Sequence, residues 1–298
     1  MILRVMRLGE PIAGKRLQSE VKTRVLWNIV AWQSATARFL SVRPLWICFL
    51  VPLCVQLFLL TLLALAPHAP FSILLAPPIR FFVSDRVLHY PDHLLWLYHV
   101  MPSLHAVSML LVGAPLSGVA ARIVGQIQAG AQVSLRNACR RASRFLWHCT
   151  FAWSATWIVR TLVARLLSRW VTPGPFAPVL LIAAMVLLQA FVVYAIPAAA
   201  LSEVSWLSAL GRSIRFAVLH PLQTAGVVAL PLLLVLLIFG PLSEPRVAQW
   251  MRRFEPEIVL LPMMARLAVL TVADAIMTIG AAQVWNKTFS GRGSFLHA

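Results

Sequence analysis

The sequence predicts an all-α polytopic membrane protein. Six transmembrane helices, most simply read as three hairpins, follow an N-terminal amphipathic interfacial helix. Three observations carry this reading. Of 298 residues, 60% are apolar and 12% charged, with a mean hydropathy of +0.82, whereas a soluble domain is roughly 45–50% apolar and about 25% charged. The apolar excess gathers in six stretches, 45–66, 95–117, 146–168, 176–200, 216–240 and 258–284. Each reaches the ~20 residues that a helix needs to cross about 30 Å of hydrocarbon. Finally, the basic residues crowd onto one side of these stretches. The ten-residue alternating segments of a β-barrel are not found.

Three regions follow: a cytoplasmic segment over 1–44, a transmembrane domain over 45–285 and a cytoplasmic tail over 286–298. Within the first, residues 21–40 form an imperfect amphipathic helix. Val25, Ile29, Trp32, Phe39 and Leu40 share a stripe that Thr36 interrupts, while Arg24 and Arg38 fall on other faces. Trp27 lies nearly opposite Trp32. Such a helix either anchors in the interface or packs on the membrane domain. The first apolar stretch begins too late, and runs too long, for a signal peptide, so it is expected to stay as the first span.

Entry to alternate spans repeats a phrase. Arg38-Phe39, Arg144-Phe145 and Arg215-Phe216 each close a basic segment that leads into an apolar stretch, and Pro44 and Pro221 follow the first and third at matching distances. The phrase reads either as true internal repetition or as the interface chemistry of any inward-facing helix start. Seventeen Lys and Arg residues lie before span one, between spans two and three, before span five and after span six. Six lie in the alternate loops and three within spans. The positive-inside tendency then places both termini in the cytoplasm of a bacterial-type inner membrane. The net charge of +17 is mostly a topology signal. Its expected partners are anionic lipids and not nucleic acid, because no separate basic domain exists.

The outer connections differ. Residues 67–94 form the longest, with Arg80 and Arg86 balanced by Asp85 and Asp92. The apolar, proline-interrupted run from Phe71 to Val83 suits a segment lying on the outer surface or folding partly into the bilayer. The loop at 169–175 is short, and the loop at 241–257 carries balanced charge. Pro52, Pro102, Pro115, Pro197, Pro221, Pro231 and Pro262 lie in or beside spans, where an interior proline removes a helical hydrogen bond and favours a kink.

Intramembrane charge supplies the polar candidates. Arg266 and Asp274 in span six stand eight residues apart, about 12 Å along one helix, and each is expensive in hydrocarbon. Asp274 is expected to face another helix or a polar path, and Arg266 to snorkel towards the outer interface. Arg160 in span three begins a basic outer end with Arg165 and Arg169, and pairs with Asp274 if spans three and six meet. His89, His93, His99 and His105 lie close together. His89 and His93 have i,i+4 spacing, but Pro91 disturbs it and no HExxH or clustered cysteine joins them, so no metal site is expected. Cys48, Cys54, Cys139 and Cys149 show no CxxC spacing and imply neither a disulfide framework nor zinc. No Gly-rich phosphate loop is present, and no cofactor is expected.

Met101-Pro102-Ser103-Leu104-His105-Ala106 resembles the central Pro-Ser-x-His motif of the membrane phosphatidic-acid phosphatase superfamily. That resemblance implies His105 as the acid that protonates the leaving group and Ser103 as a phosphate contact. The companion motifs are incomplete. Arg43-Pro44 lies on the opposite membrane face and lacks an upstream lysine, and His220 has no Asp four residues later. A second resemblance rests on Arg-x-x-Arg-Phe at Arg141–Phe145 and Arg212–Phe216, with Arg38-Phe39 as a shorter form. These elbows and the six spans resemble the membrane proteins related to the glycerophosphodiester-phosphodiesterase membrane domain. Members without a fused catalytic domain imply no particular chemistry, and no such domain is read in this chain.

The leading functional expectation is a non-catalytic membrane component for transport or assembly involving lipid or a small amphiphile. Membrane-protein partners, or a partner ATPase that supplies energy, would accompany it. The alternatives are a structural subunit of a larger membrane complex and a membrane lipid phosphatase or phosphotransferase.

Overall fold

A computed structural model describes residues 30, 32–90, 92–170, 177–239, 258 and 260–290. All regular structure among them is helical. Helix α1 spans 32–41, and α2 follows at Arg43–Ala64, with Pro44 in its first turn, where the missing N–H costs nothing. Helix α3, Phe71–Phe82, and a short 3-10 turn, Asp85–Leu88, form the outer connection. Helix α4, Asp92–Ser108, passes through a π-helical segment, Met109–Gly113, into α5, Ala114–Gln128. These three make one rod of 37 residues, about 55 Å long. Then come α6, Leu135–Ala142, α7, Leu146–Trp170, α8, Ala177–Val192, and α9, Ala195–Ser202. Helices α10, Trp206–Leu219, α11, Pro221–Phe239, and α12, Leu260–Ser290, complete the chain.

Among the described residues, four helical runs are long and apolar enough to cross a membrane: Arg43–Ala64, Asp92–Gln128, Ile182–Ser202 and Leu260–Phe289. The bent pair α10–α11 raises the number to five. Helix α7, where the third span is expected, has 25 residues but carries Arg160, Arg165 and Arg169, and it stays outside that group. The chain is thus an all-α protein of polytopic membrane type, with four or five such spans where six apolar stretches were expected.

Local chemistry sets the helix ends. Gly130 adopts φ +66° beyond the end of α5, and Ala131 N–H reaches back to the Gln126 carbonyl at 3.0 Å. This left-handed closure favours glycine, which has no Cβ to clash. Ser134 caps α6 by accepting from Asn137 N–H at 3.3 Å, and Ser205 caps α10 by accepting from Ser208 N–H at 3.5 Å. Helix α9 ends on Glu203, a non-glycine residue at φ 53°. Arg122 holds that position through an ion pair of 2.6 Å.

The elbows differ from expectation in detail. Arg38-Phe39 and Arg215-Phe216 lie inside α1 and α10, not at the starts of spans, and Arg144-Phe145 alone occupies a turn. The apolar stretch 216–240 is divided: Phe216–Leu219 finish α10, the chain bends by 106° at His220, and α11 starts at Pro221. Apolarity continues across the break, but Pro221 has no N–H to continue α10 and a fixed φ suited to opening a new helix.

Helix α1 packs on the bundle. Ala35 is buried, and Trp32 and Phe39 lie against the main core, whereas Leu40 of the expected stripe is exposed. Val25, Trp27 and Ile29 fall outside the described residues, as does the loop at 241–257. Trp46 Nε1 donates to the Phe39 carbonyl, fastening α1 to α2. The main core gathers Ala35, Ala138, Ala142, Ala209 and Phe216 from the three elbow helices around Tyr194 and Trp285. A second core, with Leu60, Leu97, Met101, Met263 and Leu267, joins α2, α4 and α12. Chain neighbours also pack together: α2 on α4, α7 on α8 and α9, and α11 on α12.

Candidate functional site

The bundle gathers polar side chains from five helices: Gln56 of α2, His105 of α4, Arg160 of α7, Gln189 of α8, and Arg266 and Asp274 of α12. Gln56, His105, Arg160 and Asp274 each lie thirteen or fourteen residues from the start of their helix, about 20 Å along it. Polar groups at that depth have no water to satisfy them and must find one another or a ligand.

Two hydrogen bonds are in place. His105 Nδ1 lies 3.2 Å from Gln56 Oε1. An amide oxygen only accepts, so Nδ1 carries the hydrogen and donates it. Arg160 Nη1 donates to Gln189 Oε1 at 3.2 Å, which orients the guanidinium. Arg160 and Asp274 also interact electrostatically, as does His105 with both Arg160 and Arg266. Arg160 and Asp274 thus influence one another only at longer range. Among the described residues, no ion pair within 4 Å involves either of them. Two donors in the cluster, Gln56 Nε2 and Arg160 Nε, are buried without a hydrogen-bond partner.

The structure treats Ser103 and His105 differently. Both lie inside the continuous helix α4, two residues and so about 200° apart around its axis. Ser103 is exposed, whereas His105 is half-buried against Gln56. The two side chains do not share one face. The other histidines disperse. His89 lies beside Asp85 at 3.6 Å on the outer connection. The ring nitrogens of buried His93 lie 3.2 Å and 2.8 Å from the Val87 and Leu63 carbonyls, tying the end of α2 to the start of α4. His99 is exposed. Among the described residues, no group of three His, Cys, Asp or Glu side chains is placed to hold a metal. All four cysteines are free.

A second polar layer escaped sequence reasoning. Ser34 Oγ donates to Gln283 Oε1 at 2.9 Å, Gln128 Nε2 donates to the Gln283 carbonyl at 3.2 Å, and Asn286 Nδ2 donates to Gln128 Oε1 at 2.8 Å. These bonds lock α1, α5 and α12 together beside the main core. Gln56 and Gln189 share one signal that marks them in hindsight: each is a lone amide within an apolar helix.

Fold and cluster together define an all-α protein of polytopic membrane type with half-buried charge among its helices. No family model, curated protein or solved structure matches the chain.

Proposed function

We propose that the chain is a non-catalytic inner-membrane component that moves or delivers a lipid or small amphiphile. In this reading it crosses the membrane six times as three hairpins, with both termini and all three basic elbows in the cytoplasm. The observation that carries the reading is the cluster of Arg160, Arg266 and Asp274 with amide and imidazole neighbours. Charge held among apolar helices is costly and is retained where it serves a pathway or a ligand. The elbows suit anionic headgroups, and their Arg-Phe phrases support the resemblance to the glycerophosphodiester-phosphodiesterase membrane domain. An ion gradient or a partner ATPase would supply energy for net transport.

A specific observation favours a structural subunit as the second reading. Helix α3 leaves Phe81 and Phe82 more than three-quarters exposed, together with Ile73 and Leu74, a surface that suits lipid or a partner protein. Reconstitution with fluorescent phospholipids in both leaflets separates the two. With the purified chain, an impermeant reductant is expected to bleach past the outer leaflet. Bleaching equal to that of empty vesicles across headgroups, together with recovery of stoichiometric partners on gentle extraction, would replace transport by the structural reading.

A further inference from the structure

The intramembrane cluster is unequal in charge. Arg160 and Arg266 bring two positive charges and Asp274 one negative charge, while Gln56 and Gln189 bring none. Inside a membrane bundle an uncompensated cation is disfavoured unless an anion or water reaches it. The unused hydrogen-bonding capacity has the same sense. Gln56 is fully buried, its Oε1 is taken by His105, and its Nε2 donor has no acceptor. Arg160 is held through Nη1 by Gln189, and its Nε donor also lacks an acceptor. Spare donors and spare positive charge both ask for an acceptor that carries negative charge. Asp274 does not fill that role, since it attracts Arg160 without bonding to it.

From this we infer that the cluster is a binding site for a singly charged oxyanion at the head of an amphiphile. The inference rests on the lipid-handling reading and names the chemical class of its substrate. A phosphodiester or a carboxylate carries the one charge that balances the cluster, whereas a doubly charged phosphomonoester would leave it negative. The planar guanidinium suits either oxyanion, because its Nε and Nη hydrogens form a fork that matches two oxygens. Gln189 fixes the plane of that fork. Asp274 competes with the ligand for Arg160. It steadies the guanidinium before the ligand arrives and weakens the bound state enough for release.

The test uses the full chain purified in a neutral detergent and titrated with phosphatidylglycerol, oleate and zwitterionic phosphatidylcholine, with bound lipid read by native mass spectrometry. At least one anionic amphiphile is expected to saturate a single site about tenfold more tightly than phosphatidylcholine, a factor worth about 1.4 kcal/mol. Saturation by phosphatidylglycerol alone assigns the phosphodiester, and saturation by oleate alone assigns the carboxylate. Arg160→Gln should cost about tenfold in affinity, while Arg86→Gln, which removes the same charge from an exposed position on the outer connection, should leave it nearly unchanged. Asp274→Asn should tighten binding severalfold, which a folding defect does not produce, so the test survives if Arg160→Gln fails to fold. Equal losses from Arg160→Gln and Arg86→Gln, equal binding of phosphatidylcholine, or weaker binding by Asp274→Asn would overturn the site. Binding without lipid flux would retain the site and refute transport. Flux with binding indifferent to Arg160 would do the reverse.

Discussion

Trp285→Ala is expected to lower the unfolding free energy by about 3–5 kcal/mol, the range for removing a large aromatic from a packed core. Trp285 is 1% exposed and lies where α9, α10 and α12 converge. Its ring centroid is 4.4 Å from that of Phe289, 5.5 Å from Phe216 and 6.2 Å from Tyr194, and its Nε1 donates to Ser202 Oγ at 3.2 Å. Truncation empties a site whose surroundings belong to three helices and cannot easily collapse. Trp285→Phe keeps a ring and should lose only about 1 kcal/mol with the hydrogen bond. Unfolding in mixed micelles, followed by aromatic circular dichroism, gives both values. Trp147→Ala, at a position 71% exposed, is the reference. A Trp285→Ala cost no larger than that reference would contradict this account of the core.

Arg160→Leu is expected to cost about 1–3 kcal/mol, because it removes the longer-range attraction that offsets the partial burial of Asp274. Gln189 Oε1 would lose its donor as well. The double variant Arg160→Leu/Asp274→Leu should recover at least half of the loss, since removing both charges also removes the uncompensated one. The same unfolding assay, run as a double-mutant cycle, reads the coupling directly. Additive losses would show that the two charges do not sense one another.

The apolar helices were largely legible in the sequence because a bilayer imposes a length. The stretch 45–66 became Arg43–Ala64, and most of 258–284 falls in Leu260–Ser290. Length does not report direction, so the 106° bend at His220 was invisible inside an unbroken apolar run, although Pro221 stood at the break. The elbows were visible as composition. That their Arg-Phe pairs lie within helices in two of three cases depends on where α1 and α10 end, which packing against the main core decides. The candidate site was half legible. Arg160, Arg266 and Asp274 stand out because charge is rare in such helices. His105 was noticed for a motif, and its neighbour in the structure is Gln56 and not Ser103. Gln56 and Gln189 carry no charge, and their partners lie on other helices, so only tertiary structure joins them to the cluster.

Asp274 links stability, binding and movement in this account, and the most direct measurement compares wild type with Asp274→Asn in proteoliposomes at matched density of folded protein. Lipid flux should fall about tenfold, a barrier increase of about 1.4 kcal/mol, while the same preparation binds the anionic amphiphile more tightly. Unchanged flux with unchanged binding would contradict the claim that the buried cluster is where this protein works.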